Sequence, residues 1–444
     1  MIPTVLGPIV EAAVTGAASA QEELLHSVLP SNMKLIHDNP ITLANLAEIR
    51  SGGHTGRLAA SNRLFSVDEG VQELASLKDA GGGLVLDCST TEEGQNPSGL
   101  QEISRRSGLA IVMAASCKEV CSLSHVYQPS AENIAKELEH QLLFGKHGHS
   151  AAPAVATASS GNKSSRIQAG FLLIKLNAAD ASIPTAVDEG KPAIAAAAAI
   201  YHPCMVDSCT AMTLEGTVKA HLVTGAPLMI ACPHFARWSR LEAALDEVTV
   251  AAGVVTARNT LIVGGMHGGV SQSLQDQAAL LNKGVVLCFD CFGRVEWLPG
   301  PEYYPSDEES AVRIAELVRQ GFADRIVLSS GVSRRIHLSR FGGHGYAHAL
   351  HTVPPRLLRL GVSAEDVTLM TRDNVLRLLD WYTPPPPVEI PKDYLPCSWC
   401  KKRFEPVEGE YFHKFQFVYC GINCLRDHRG TGFDACAAAR RPTS

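Results

Sequence analysis

"ADRIVLSSGVSRR", residues 323–335, is the stretch on which the reading of this chain turns. Ile326, Val327 and Leu328 are apolar at consecutive positions, so a strand there would be buried on both faces, as in a parallel sheet covered by helices. Ser329, Ser330 and Gly331 then end the run with small residues. Just upstream, "ESAVRIAELVRQG" places apolar residues at helical spacing and stops at a glycine. Helix, buried strand and turn make one unit of an alternating α/β fold. In a barrel enzyme the end of such a strand is where a catalytic carboxylate stands. Here the chain offers Ser-Ser-Gly.

The same alternation runs outward in both directions. Apolar runs at 81–90, 109–116, 170–177, 226–233, 260–266, 284–293 and 325–330 read as buried strands. Between them 99–108, 132–145, "TLEGTVKAHLVTG" and "SLQDQAALLNKG" read as helices, most of them ended by glycine. Seven or eight such units predict a (β/α)8 barrel rather than an open doubly wound sheet. No glycine-rich dinucleotide fingerprint opens a helix. The barrel is expected over 1–383, with insertions at about 145–166 and 178–210. A Pro-rich linker follows at 384–392, then a small module at 393–430 and a tail at 431–444.

Composition narrows the function classes. The chain has 444 residues, 45% of them hydrophobic, and a net charge of -6, which gives no electrostatic case for nucleic acid or anionic membrane. No apolar run reaches the roughly 18–20 residues of a membrane span. The sequence does not open on a basic stretch leading into an apolar one. Thirteen cysteines in such a chain suggest reduced thiols and metal binding, and an intracellular, cytoplasmic setting in which cytoskeletal or ciliary association stays open.

"FGGHGYAHAL" and the following "VPPRL" are specific signals. With "TVLGPI" at 4–9, "GGGLVLDCSTT" at 81–91 and "CFDCFG" at 288–293, they fall in the order found in the phosphotriesterase family, and the chain resembles its phosphotriesterase-related, N-acetyltaurine hydrolase-like branch over roughly residues 4 to 380. The resemblance implies an amidohydrolase-type barrel whose active members hold two divalent metals at the C-terminal mouth. Carried over one at a time, the ligands are missing. Gly16 and Ala18 take the places of the first two histidines, Ala231 and Gly265 those of the third and fourth, and Gly331 that of the terminal aspartate. Lys175 falls at the bridging position only if a two-residue insertion is allowed, and its plainer reading is an amine paired with Asp290 or another acid. His234 and His267 could make a shifted site with Asp207 or His202. His344, His348 and His351 read as loop-stabilising residues, Cys288 and Cys291 as strand-end packing, and the acids at Asp307 and beyond as helix-capping charges.

Only one chemical motif is intact. Cys397 and Cys400 form a C-x2-C pair, Cys420 and Cys424 a C-x3-C pair, and His428 follows as an alternative fourth ligand. Some forty residues bury too little apolar surface to fold alone, so a structural Zn2+ would supply the missing stability. Cys436 reads as a tail thiol, and Lys401, Lys402 and Arg403 as a solvated turn. The sequence therefore points to a catalytically degenerate barrel, without barrel metals, joined to a zinc module that contacts a protein partner. A small molecule at the barrel mouth is open. The competing expectation is a metal-dependent ester or amide hydrolase with a rearranged site.

Overall fold

The computed structural model describes residues 1–25, 40–52, 59–91, 93–117, 130–147, 166–175, 208–231, 261–264, 273–294, 304–383, 395–405, 412–414 and 417–431. The chain divides into two compact units, one built on Met1–Ala151 and Arg166–Tyr382, the other on Ala152–Ser165 and Thr383–Ser444.

The first unit is a parallel sheet of eight strands: β1 Ala17–Glu22, β2 Gly82–Asp87, β3 Ala110–Ala115, β4 Phe171–Lys175, β5 Leu228–Ala231, β6 Leu261–Gly264, β7 Val286–Phe289 and β8 Ile326–Leu328. They pair in chain order. The last strand returns to the first: Glu23 N–H donates to Val332 O at 2.7 Å and Gln21 N–H to Ser329 Oγ at 2.9 Å. This is the expected (β/α)8 barrel.

Alternation along each strand divides the core into two layers. Val85, Ile111, Met113, Leu172, Ile230, Leu287 and Leu328 face the helices. Leu84, Leu86, Val112, Ala114, Phe171, Leu173, Met229, Cys288 and Val327 fill the lumen. Cys288 is thus a buried lumen residue, as its apolar setting suggested.

The helices in order are α1 Leu46–Gly52, α2 Val67–Asp79, α3 Pro97–Ser107, α4 Ala131–Leu143, α5 Ser208–Thr224, α6 Leu274–Asn282, α7 Asp307–Arg319, α8 His348–Arg359, α9 Ala364–Thr368 and α10 Asn374–Leu379. Most open on a side chain that accepts a backbone N–H, which satisfies a donor the helix itself cannot pair. Ser66, Asn96 and Ser130 do this for α2, α3 and α4. Ser273 and Ser306 form complete capping boxes with Asp276 and Glu309 on α6 and α7.

The second unit has two short antiparallel ribbons, β9 Leu395–Pro396 with β10 Arg403–Phe404 and β11 Phe412–Lys414 with β12 Phe417–Tyr419, followed by α11 Ile422–Gly430. Among the described residues no helix is long and apolar enough to cross a membrane.

Candidate functional site

The C-terminal ends of the barrel strands define the mouth. Lys175 ends β4 beside Ala231 at the end of β5, and Ala231 pairs with Gly264 at the end of β6. Lys175 Nζ donates to Glu93 at 2.8 Å and 3.0 Å and forms a short ion pair with Glu23. Burial acts to lower the lysine pKa, but the Glu23 and Glu93 carboxylates outweigh it and hold it above its ordinary value. The ammonium is therefore a fixed cation between two carboxylates. The acids it finds are Glu23 and Glu93.

Next to this clamp lies Glu22, 1% exposed. Its Oε1 accepts from Ser19 Oγ at 2.6 Å, Ser329 Oγ at 2.8 Å, Ser330 N at 2.9 Å and Gly331 N at 3.2 Å, and its Oε2 from Val332 N at 2.6 Å. Burial pushes its carboxyl up to about 7, although the Ser19, Ser329, Val332 and Ser330 hydrogen bonds pull the other way. The Ser-Ser-Gly turn after β8 is thus a cradle for a carboxylate on β1. Gly331 has φ of 68°, and a Cβ built on it would lie 1.6 Å from Asp290 O, so no side chain stands there without moving the backbone.

Two positions are corrected. Gly16 precedes β1 and Ala18 is its second residue, so both lie at the opposite end of the barrel from the mouth. Gly16 is a close-approach glycine, since a Cβ there would meet Gly81 O at 2.4 Å. The strand starts later than the motif spacing suggested, because a 3-10 turn at Glu11–Ala13 intervenes. Gln21 and Glu23, one residue apart at the end of β1, occupy the mouth instead. Gln21 Oε1 is buried without a hydrogen-bond partner among the described residues. The signal that could have found this site was the "QEE" following a small-residue strand, together with Glu93 after "STT". His202, Asp207, His234, Gly265 and His267 lie outside the described residues.

Two divalent ions do not fit the described residues of this mouth. An ammonium already neutralises Glu23 and Glu93, Ala231 and Gly264 offer no donor, and position 331 has no room for a carboxylate. Among the described residues, one group of three or more metal-ligating side chains comes together, and it lies in the second unit.

That group is Cys397, Cys400, Cys420 and Cys424, whose sulfurs all lie within 4.8 Å of one another. Cys397 and Cys400 flank a turn closed by Lys401 N–H to Cys397 O at 3.0 Å, with Lys401 at φ 64°. Cys420 follows β12 and Cys424 sits in the first turn of α11. The sulfur separations of 3.6 Å for Cys400–Cys420 and 3.7 Å for Cys420–Cys424 match the roughly 3.8 Å edge of a tetrahedron with zinc–sulfur bonds of about 2.3 Å. Four cysteines at this spacing fit Zn2+, which would clip the ribbon to the helix and supplement a small hydrophobic cluster in which, among the described residues, Cys397, Trp399 and Tyr419 are buried.

His428 has a different role. Its Nδ1 pairs with Tyr419 Oη at 2.8 Å, and its ring stacks on Trp399 at 5.0 Å. It belongs to the mini-core, which removes it as the alternative ligand. The capping acids also do more than the sequence suggested. Asp307 accepts from Gly293 N and pairs with His348 Nε2, both at 2.7 Å.

Residues 185–379 match the model described as the phosphotriesterase family. The barrel is similar to the phosphotriesterase family over these residues. Residues 392–436 match the Vms1-associating treble clef domain. Among curated proteins, the N-acetyltaurine hydrolase of Tetraodon nigroviridis is 23% identical over 84% of this chain and 96% of its own length. That of Homo sapiens is 23% identical over 82% and 93%. The fold is shared with a resiniferatoxin-binding protein from Rhodobacter sphaeroides, at TM-score 0.64, 24% identity and coverage of 85% of this chain and 94% of that one. It is also shared with the Escherichia coli phosphotriesterase homology protein, at TM-score 0.57, 20% identity and coverage of 83% and 99%. A phosphotriesterase-like barrel and a treble clef are thus two recognisable parts of one chain.

Proposed function

We propose that this chain is a binding protein in which a non-hydrolytic phosphotriesterase-family barrel carries a zinc-clipped treble clef that docks a protein partner. The observation that carries the barrel half is the Lys175 ammonium held between Glu23 and Glu93. Metal hydrolysis needs cations that lower the pKa of a bound water. An ammonium at the end of a strand neutralises carboxylates without activating water. The Gly331 backbone adds to this, since a general-base carboxylate has no place there.

The partner half rests on the treble clef. The domain is described as Vms1-associating, and we take a protein of that kind as the partner. The zinc holds the fold, and the surface around it makes the contact.

The names of the curated relatives favour the opposite reading, a metal-dependent amide hydrolase. Metal analysis and an activity assay on full-length protein separate the two. One zinc per chain, with no turnover of N-acetyltaurine or an aryl phosphotriester in zinc, manganese or cobalt, is the expected result. Two or three metals per chain, with turnover lost on Lys175→Ala, would establish the hydrolase.

A further inference from the structure

A second lysine of the barrel is held quite differently from Lys175. Helix α4 ends on "LLFGKHG", where Gly145 takes φ of 81° and a Cβ on it would lie 2.8 Å from the Ile167 backbone. The chain turns there into a two-residue ribbon, Lys146–His147 against Arg166–Ile167. The ribbon sets the half-buried Lys146 beside the loop that follows β2.

Lys146 Nζ bonds to two oxygens, Gln95 Oε1 at 2.6 Å and Thr91 Oγ1 at 3.1 Å. Both are neutral, and their other bonds make them acceptors. The Gln95 amide nitrogen donates to Ser89 O at 2.8 Å and Ala114 O at 3.1 Å, which leaves its oxygen for the lysine. The Thr91 hydroxyl gives its proton to Ser116 O at 2.8 Å.

An ammonium brings three N–H donors, whereas a neutral amine brings two and a lone pair. Two acceptors match the amine. Among the described residues no carboxylate forms an ion pair with Lys146, in contrast to Lys175 with Glu23 and Glu93. A half-buried cation without an opposite charge in contact gives up its proton more readily than one in water. Burial brings the Lys146 ammonium down to about 8, against the Glu137 carboxylate on α4, the Asp87 carboxylate at the end of β2 and Cys117 after β3, which all push it up.

The same two partners tie Lys146 to the barrel mouth. Thr91 and Gln95 bracket Glu93, whose Oε2 accepts from Thr90 N at 2.9 Å, Thr90 Oγ1 at 3.0 Å and Lys175 Nζ at 2.8 Å.

We propose that Lys146 is a nucleophilic amine and a site of acylation by thioester donors, a modification that loosens the loop carrying Glu93. The Nζ lone pair attacks the thioester carbonyl carbon. The C–N bond forms, the C–S bond breaks, and the proton shed by the nitrogen leaves with the thiolate as free thiol. The amide product keeps one N–H, so it serves only one of Thr91 and Gln95. The site stands whether or not the barrel has hydrolytic activity.

The test uses full-length protein, S,N-diacetylcysteamine as the thioester, and peptide mass spectrometry to follow acetylation at each lysine. At pH 7.5 Lys146 should acetylate about tenfold or more faster than Lys136, which is exposed on α4. The Lys146 rate should level off above about pH 8. Gln95→Glu sets a carboxylate against the amine and should slow Lys146 about tenfold. Lys146→Gln, which stands in for the acylated side chain, should speed amide hydrogen exchange in the peptide from Thr90 to Gln95 several-fold, the effect of about one lost hydrogen bond. A Lys146 rate no greater than that of Lys136, or an undiminished rate in Gln95→Glu, overturns the proposal, and the wild-type comparison decides it if that variant fails to fold. Unchanged exchange in Lys146→Gln overturns the link to the Glu93 loop.

Discussion

Single residues decide what the barrel mouth can do. Lys175 sets a tethered cation between Glu23 and Glu93. Removing a partner from a buried ion pair leaves uncompensated charge, typically at a cost of about 3–5 kcal/mol. Lys175→Met should therefore destabilise the barrel at neutral pH by an amount towards the low end of that range, because the group is 23% exposed. Urea titrations of both proteins at pH 7 would show it, and wild-type stability in Lys175→Met would count against the clamp. Gly331→Asp tests the same site from the other side. It puts back the residue type that the family resemblance expects, but the left-handed backbone and the Asp290 carbonyl oppose it. Thermal melting should fall well below wild type, and a stable Gly331→Asp protein with wild-type melting would show that the turn can be rebuilt.

At the scale of elements, the seam between β1 and β8 is the least ordinary part of the fold. β1 is "AASAQE", with no long apolar run, and strand patterning from sequence passes over it. Its burial comes from its neighbours: Ala18 and Ala20 fit the crowded lumen because they are small. The other seven strands were legible because their own residues are apolar. Misplacing β1 is also what put the first ligand positions on Gly16 and Ala18. In the seam, Glu22 bonds to the turn after β8 while burial raises its carboxyl from 4.5 to about 7. A raised carboxyl contributes stability in full below its unfolded pKa and loses it as pH rises through the folded one. The difference in unfolding free energy between wild type and Glu22→Gln should thus move against wild type by about 3 kcal/mol between pH 4.5 and pH 8. Denaturant melts of both proteins across that range measure it. A pH-independent difference would mean that the five donors around Glu22 keep it ionised throughout.

For the whole molecule, the two parts were legible for different reasons. The barrel is written in many weak, repeated signals, and losing one strand did not hide the fold. The treble clef is written in four cysteines whose spacing suits one tetrahedral metal site. Sequence could not reveal the setting of Lys146, because Thr91 and Gln95 lie 55 and 51 residues before it and meet it only in the folded barrel. The same contrast predicts how the chain comes apart. The barrel's hydrophobic core runs from Val5 to Met370 and does not draw on the four cysteines. Among the described residues, the C-terminal unit has three buried residues in its hydrophobic cluster. In a unit this small, the free energy of binding a metal would be folding free energy. A chelator, or Cys397→Ser, should therefore unfold the treble clef and leave the barrel folded. Limited proteolysis should then cut beyond Thr383, where the Pro-rich run "TPPPP" begins, and leave a fragment of about residues 1 to 383. The same treatment should abolish binding to a Vms1-type partner. If chelation releases no zinc, or the tail stays protected, the four cysteines are not the metal site that holds this unit together.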